Sequence, residues 1–221
     1  MEITVRAHAR GERAPDYALV VLEVGFESAR LEEAHRAAQA LASQLSDDLA
    51  DARRDHPEGF GTTVISPVST RSWRPWNNDG KQLPIRYGAS SRVEVEVRDL
   101  DLLGQLTRAW GSTQGIKLAA PQWKLDEATR DDLVAEVTAA AVRQARQRAS
   151  VMAEASGFSE LTPLQLADTG LLGDGGARDL DAAPAFGARA AAYAPQDEQQ
   201  IDLTPRPLDV EVVVEARFSA S

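Results

Sequence analysis

The chain has 221 residues, 43% hydrophobic and 26% charged, enough to bury a core as one large domain or one domain with an insertion. It contains no cysteine, which excludes disulfides, thiolate metal sites and a cysteine nucleophile. With 24 basic and 34 acidic residues its formal net charge is -10, which disfavours nucleic acid and anionic membrane surfaces as partners at long range.

The opening Met1-Glu2-Ile3-Thr4-Val5-Arg6 lacks the cationic start and apolar block of a signal peptide, so the expected location is the cytoplasm. No apolar run approaches the roughly 18 to 20 residues of a membrane span, so no membrane partner is expected. Residues 3–10 alternate as a strand, and 11–16, with Gly11 and Pro15, read as the turn that ends it. In 17–27 the even positions Ala18, Val20, Leu22, Val24 and Phe26 are apolar, and Leu19 and Val21 on the other face are too, which predicts a central strand partly covered on both sides. Ser28 is the expected N-cap of a long helix to about residue 54, with Leu31, Ala34, Ala38, Leu41, Leu45, Leu49 and Ala52 as its apolar stripe.

His56-Pro57-Glu58-Gly59 breaks that helix. Residues 62–74 read as a strand pairing with a second strand that ends near Arg98, and Asn77-Asn78-Asp79-Gly80 between them suits the tip of a long hairpin. Pro67, Pro75 and Pro84 cannot donate to a ladder, so pairing toward the tip should be irregular. In the second strand Ser91, Val93, Val95 and Val97 point one way and Arg92, Glu94, Glu96 and Arg98 the other, the pattern of a sheet covered on one side. Asp99 or Asp101 then caps a short helix carrying Leu102, Leu103, Leu106 and Ala109. A further strand is predicted over 115–125, with Ile116 and Leu118 inward.

Asp126 is the expected cap of a second long helix to about residue 156, ended by Gly157. Its apolar arc takes in Val134, Ala141, Ala145, Ala149 and Met152, and alanine lets backbones approach closely, so this helix is expected to pack on the sheet and on a neighbour. A short strand follows over 161–167. Residues 169–200 lose periodicity and read as a flexible insertion within a single domain spanning 1–221. Alternation over 209–219 closes the fold, giving an α+β class: an antiparallel-rich sheet with two long helices packed on it, a long β-hairpin and an insertion before the last strand.

Little in the chain reads as chemistry. His8, His35 and His56 have no carboxylate or second histidine at ligand spacing, so no metal is expected. Gly173-Asp174-Gly175-Gly176 lacks the Lys-Ser/Thr of a phosphate loop and reads as linker, and no cofactor is expected. Asp47-Asp48 and Asp131-Asp132 sit in helical, solvated contexts, and no Gly-x-Ser-x-Gly turn is present. Trp73 and Trp76, with Arg71, Arg74 and Arg86 nearby, stand apart: Trp and Arg anchor interfaces, and two tryptophans on a proline-bearing arm are costly to leave in water, so they are expected either to fold back onto their own domain or to meet another subunit, with ligand stacking a third reading.

The strings Ala14-Pro15-Asp16-Tyr17-Ala18, Tyr87-Gly88-Ala89-Ser90 through Val97-Arg98-Asp99-Leu100-Asp101, and Ala145-Arg146-Gln147-Arg148-Ala149 with Met152-Ala153 and Gly157, in this order before the closing strand, resemble the SIMPL-domain family. That is a widespread bacterial group of largely unknown function, which includes periplasmic and outer-membrane immunogenic proteins. The resemblance implies an α+β domain that tends to form symmetric homo-oligomers, commonly in the periplasm or at the cell surface, and it implies no catalytic residues. An export signal, which the resemblance would lead one to expect, is not read in the opening residues, and Trp73-Arg74-Pro75-Trp76 has no match in the family's pattern.

The leading expectation is a non-enzymatic homo-oligomer or protein-binding module, associating through Trp73, Arg74 and Trp76 of the hairpin and Ala141, Ala145, Ala149 and Met152 of the alanine-rich helix. The alternative is a hydrolase or small-molecule-binding enzyme with a site under residues 169–200. A stress-linked, chaperone-like role is a third reading, by association with the family alone.

Overall fold

The computed structural model describes residues 1–76, 82–172 and 203–221. In chain order the elements are β1 (Glu2–Arg13), β2 (Tyr17–Ser28), α1 (Leu31–Asp55), β3 (Phe60–Ile65), β4 (Ser69–Trp73), β5 (Arg86–Val97), α2 (Leu100–Gly111), β6 (Ile116–Leu118), β7 (Gln122–Lys124), α3 (Glu127–Ala155), β8 (Leu161–Asp168) and β9 (Leu208–Ala220). The class is α+β, and the strands divide between two antiparallel sheets where the sequence pattern suggested one. Each sheet belongs to a compact unit of its own.

The first unit is built from the two ends of the chain: residues 1–14, 125–197 and 206–221. Its sheet runs β1-β9-β8, all antiparallel, with Ile3 opposite Phe218, Val5 opposite Ala216 and Ala7 opposite Val214. These side chains alternate inward and bury one face against Ala141, Ala145, Ala149 and Ala153 of α3. The buried ladder continues toward the start of the helix through Val137 and Leu133, so its period is a strict four residues. The arc read from sequence differs at its ends, where Val134 is only half-buried and Met152 is 45% exposed.

β1 extends through Arg13, past the expected turn at Gly11, and the reason is steric. A Cβ at Gly11 would lie 2.5 Å from Val137 Cγ2 and 3.0 Å from Leu133 Cδ1, so the bare Cα lets the strand continue beneath the helix. α3 ends at Gly157 as expected, with φ +85°, its N–H donating to Glu154 O at 3.0 Å and that of Phe158 to Ala153 O at 3.0 Å.

On the opposite face of this sheet a buried carboxylate ties three segments together. Glu215 Oε1 accepts from Arg6 Nη2 at 2.6 Å and Nε at 3.1 Å, and Oε2 accepts from Leu172 N at 3.4 Å. The hydrogen bond from Arg6, with backbone N–H donors of Gly170 and Leu172, holds the Glu215 carboxyl below the usual carboxylate range against the opposing effect of burial. A depressed folded-state pKa gives stability that is present above the ordinary glutamate range and is lost as pH falls through the folded value. In denaturant melts between pH 7 and pH 3, the wild-type chain should lose stability on acidification below about 4.5 more steeply than Glu215→Gln, which starts lower and varies less.

The second unit comprises residues 15–124 and 198–205. Its sheet runs β3-β5-β2-β6, with β4 continuing beside β5 after β3 and β7 continuing beside β2 after β6. The single strands predicted over 62–74 and 115–125 are therefore each broken in two, around Pro67 and Pro121, where a ladder donor is missing. Ala18, Val20, Leu22 and Val24 of β2 and Val93, Val95 and Val97 of β5 bury one face under Leu45 and Leu49 of α1 and Leu102, Leu103 and Trp110 of α2. β2 is central as expected, and Val21 on its other face is buried as well.

Two cap expectations resolve differently. Asp99 caps α2, accepting from Asp101 N at 2.9 Å and Leu102 N at 3.2 Å. α1 starts two residues later than a Ser28 cap requires, with Arg30 in the N-cap position; Ser28 Oγ instead accepts from Arg30 N at 3.2 Å and donates to Glu33 at 2.8 Å. In α2 Thr107 and Trp110 take the inward positions and Ala109 is exposed, the threonine hydroxyl being satisfied by Leu103 O at 2.8 Å. No helix among the described residues is long and apolar enough to cross a membrane.

Candidate interaction surface

β4 leaves the sheet edge beside β5 and leads into an arm bearing Trp73, Arg74, Pro75 and Trp76. Antiparallel pairing places Arg71 opposite Gly88 and Trp73 opposite Arg86. Because β4 side chains alternate, Arg71 and Trp73 share a face, and the Arg71 guanidinium lies 4.9 Å from the centroid of the Trp73 ring. Arg71 Nη2 also approaches Glu27 Oε1 at 3.5 Å. Gly88 makes room for this stack: a Cβ there would be 3.1 Å from both Arg71 Nε and Trp73 Cζ3.

Trp73 is thus half-buried by its own unit, whereas Trp76 is 88% exposed. Arg74 Nη1 donates to Gln82 Oε1 at 3.1 Å, joining the two sides of the arm near its base. Pro75 fixes its own φ and disfavours helical backbone at Arg74, which restricts the chain leading to Trp76. The predicted hairpin tip at Asn77–Gly80 lies outside the described residues.

Beside the arm, the solvent face of β2 and β5 is hollowed into a trough of 170 Å3. Its floor is Gly25, Gly88 and Ser90, three neighbours across the pair with little or no side chain, and Glu23, Glu27, Arg71 and Lys117 stand around it. A larger concavity of 660 Å3 along α1 is lined by Leu31, Glu32, His35, Arg36 and Gln39 of the helix and by Thr70 of β4.

The other expected contact residues lie in the other compact unit. Ala141, Ala145 and Ala149 are each 0% exposed, packed on β1 and β9 of their own chain, while Met152 and Val151 beside them are 45% and 61% exposed. Among the described residues no three His, Cys, Asp or Glu side chains group within metal-binding range. Most of the 169–200 segment, beneath which the enzymatic alternative placed its site, lies outside the described residues, which resume at 203.

Comparison with known families adds one finding. A model of the family described as SIMPL, protein of unknown function (DUF541), matches residues 3–218. The chain belongs to the SIMPL family. No curated protein matches it. The match takes in both compact units of this SIMPL chain and the Trp-bearing arm. What sequence reasoning missed in the SIMPL chain is the trough, although its signal was present: Gly25 and Gly88 interrupt two otherwise well-formed strands, and glycine inside a strand often marks close approach by another group.

Proposed function

We propose that this SIMPL chain is a self-assembling module without a reactive centre, whose contact surface is the arm of Trp73, Arg74 and Trp76. The observation that carries this reading is the 88% exposure of Trp76, a large side chain that follows the restricted Pro75 backbone. The arm's charge supports it. Residues 66–92 contain Arg71, Arg74, Lys81, Arg86 and Arg92 against the single acid Asp79, in a chain whose formal net charge is -10. Such a basic arm is attracted to the acidic remainder of a second copy, which favours encounter and orientation.

The alanine ladder of α3 contributes to this assembly only by stiffening its own unit, since its side chains are fully covered within the chain. Size-exclusion chromatography with light scattering, on the full chain from nanomolar to high micromolar concentration, tests the proposal. The expected result is a mass that rises to a defined multiple of the chain and falls on dilution. A single-chain mass throughout sinks it.

A further inference from the structure

The geometry points to a latch: Glu215 holds the turn over residues 168–172 down on the outer face of the first unit's sheet, and neutralising that one carboxyl frees the turn while the sheet stays paired. β8 ends its pairing at Asp168, opposite Val214, so residues 169–172 take no part in a ladder. They carry no fully buried side chain: Thr169 and Gly170 are exposed, Leu171 is 64% exposed and Leu172 is half-buried. What holds them, among the described residues, is polar. Thr169 Oγ1 donates to Val213 O at 3.3 Å, Leu171 N donates to Asp168 O at 3.2 Å, and the backbone N–H groups of Gly170 and Leu172 donate to the Glu215 carboxyl, that of Leu172 at 3.4 Å.

Gly170 adopts φ +85°, the left-handed region that glycine enters without strain, and the turn it makes aims two N–H groups at one carboxylate. Backbone N–H groups gathered around a left-handed residue make a concave anion site, and here the chain supplies its own anion. On its other side the carboxylate is fixed by Arg6, whose Nη2 and Nε donate to Oε1 at 2.6 and 3.1 Å. Ionised, Glu215 accepts from all of these donors. Protonated, it loses the attraction of Arg6 and presents a hydroxyl that donates toward N–H groups that can only donate, so the turn loses its hold. Arg6 and His8 of β1, Arg217 of β9 and Asp168 at the end of β8 are the charged or titratable groups around Glu215 on the elements that adjoin it. The cations favour the carboxylate and Asp168 opposes it; with Arg6 in direct contact, the turn stays latched until Glu215 itself is protonated. Release of the turn is a smaller opening than unfolding, because the β1–β9 ladder, from Glu2 opposite Ser219 to Arg13 opposite Leu208, owes none of its pairs to residues 168–172.

Amide NMR on the 15N-labelled full chain between about pH 7 and pH 3 tests this. The amide protons of Gly170 and Leu172 should shift with one common midpoint below about 4.5, and their protection against hydrogen exchange should fall at least about tenfold across it while the amides of β1 and β9 stay protected. In Glu215→Gln the same two amides should already be unprotected at neutral pH and should show no titration. Arg6→Ala keeps the carboxyl and removes its cation, so it should move the midpoint to higher pH. That shift is one a merely structural Glu215 would not produce, and it can be read even if the glutamine variant fails to fold. Two amides that ignore the titration, protection retained in Glu215→Gln, a midpoint unmoved in Arg6→Ala, or a turn that opens only together with β1 and β9 overturns the inference. Each of these results leaves self-association through the arm to its own test, since the arm lies in the other compact unit.

Discussion

Replacing Ala145 by Leu is expected to destabilise the chain by about 1–3 kcal/mol without weakening self-association. Ala145 is 0% exposed in the middle of the Leu133, Val137, Ala141, Ala145, Ala149 and Ala153 ladder, opposed by the inward residues of β1 and β9. Four consecutive alanines at that spacing bring the helix close to the sheet, and the three extra carbons of leucine have no gap to enter. The helix has to lift, and it takes with it the dispersion contacts of Val5, Ala216 and Phe218. Urea unfolding of the variant gives the stability change, and light scattering on the same samples gives the mass. A stable variant that fails to assemble would instead place the alanine face at a contact between chains.

Those alanines also show what could be read from the sequence. Strand positions were legible because alternation in β1, β2, β5 and β9 separates a buried from a wet face, and register follows from that separation. The short helix and its Asp99 cap were legible for the same local reason. Assigning the strands to two sheets was not, because a period of two fixes which side of a strand is dry without saying which partner lies beside it. The first and last strands pair with each other over their full lengths, Glu2 opposite Ser219 to Arg13 opposite Leu208, a contact between chain ends that no local pattern encodes.

Composition leaves the alanine face open to a neighbour, because it cannot distinguish a helix that closes on its own sheet from one that also meets another chain; within the single chain the face packs on β1 and β9. The strict four-residue ladder from Leu133 to Ala153 was the available signal, since an unbroken apolar stripe of that length needs a continuous partner. The Trp arm was legible as an exception to its surroundings, but the trough beside it was not, because it consists of absent side chains on two strands far apart in sequence.

The contrast between the two tryptophans provides the second large expectation. Trp76→Ala should weaken self-association by about 2 kcal/mol or more, roughly 30-fold in Kd, with a smaller change in melting temperature than Trp73→Ala. Its ring is 88% exposed in the single chain, so truncation removes little buried surface from the folded unit and more from a contact between chains. Trp73→Ala should do the reverse in proportion. Its ring carries the Arg71 guanidinium at 4.9 Å and abuts Gly88, so removing it costs packing and cation–π attraction within the unit, and Arg71 loses the surface that holds it beside Glu27. A lower melting temperature with a smaller effect on association than Trp76→Ala is the expected outcome for Trp73. If both tryptophans changed stability and neither changed mass, the arm would be a part of its own fold and the partner surface would have to lie elsewhere. Separating the two readouts at these two positions is what makes the assignment decidable, because residues only three apart on one arm share every nonspecific effect of expression, charge and solubility.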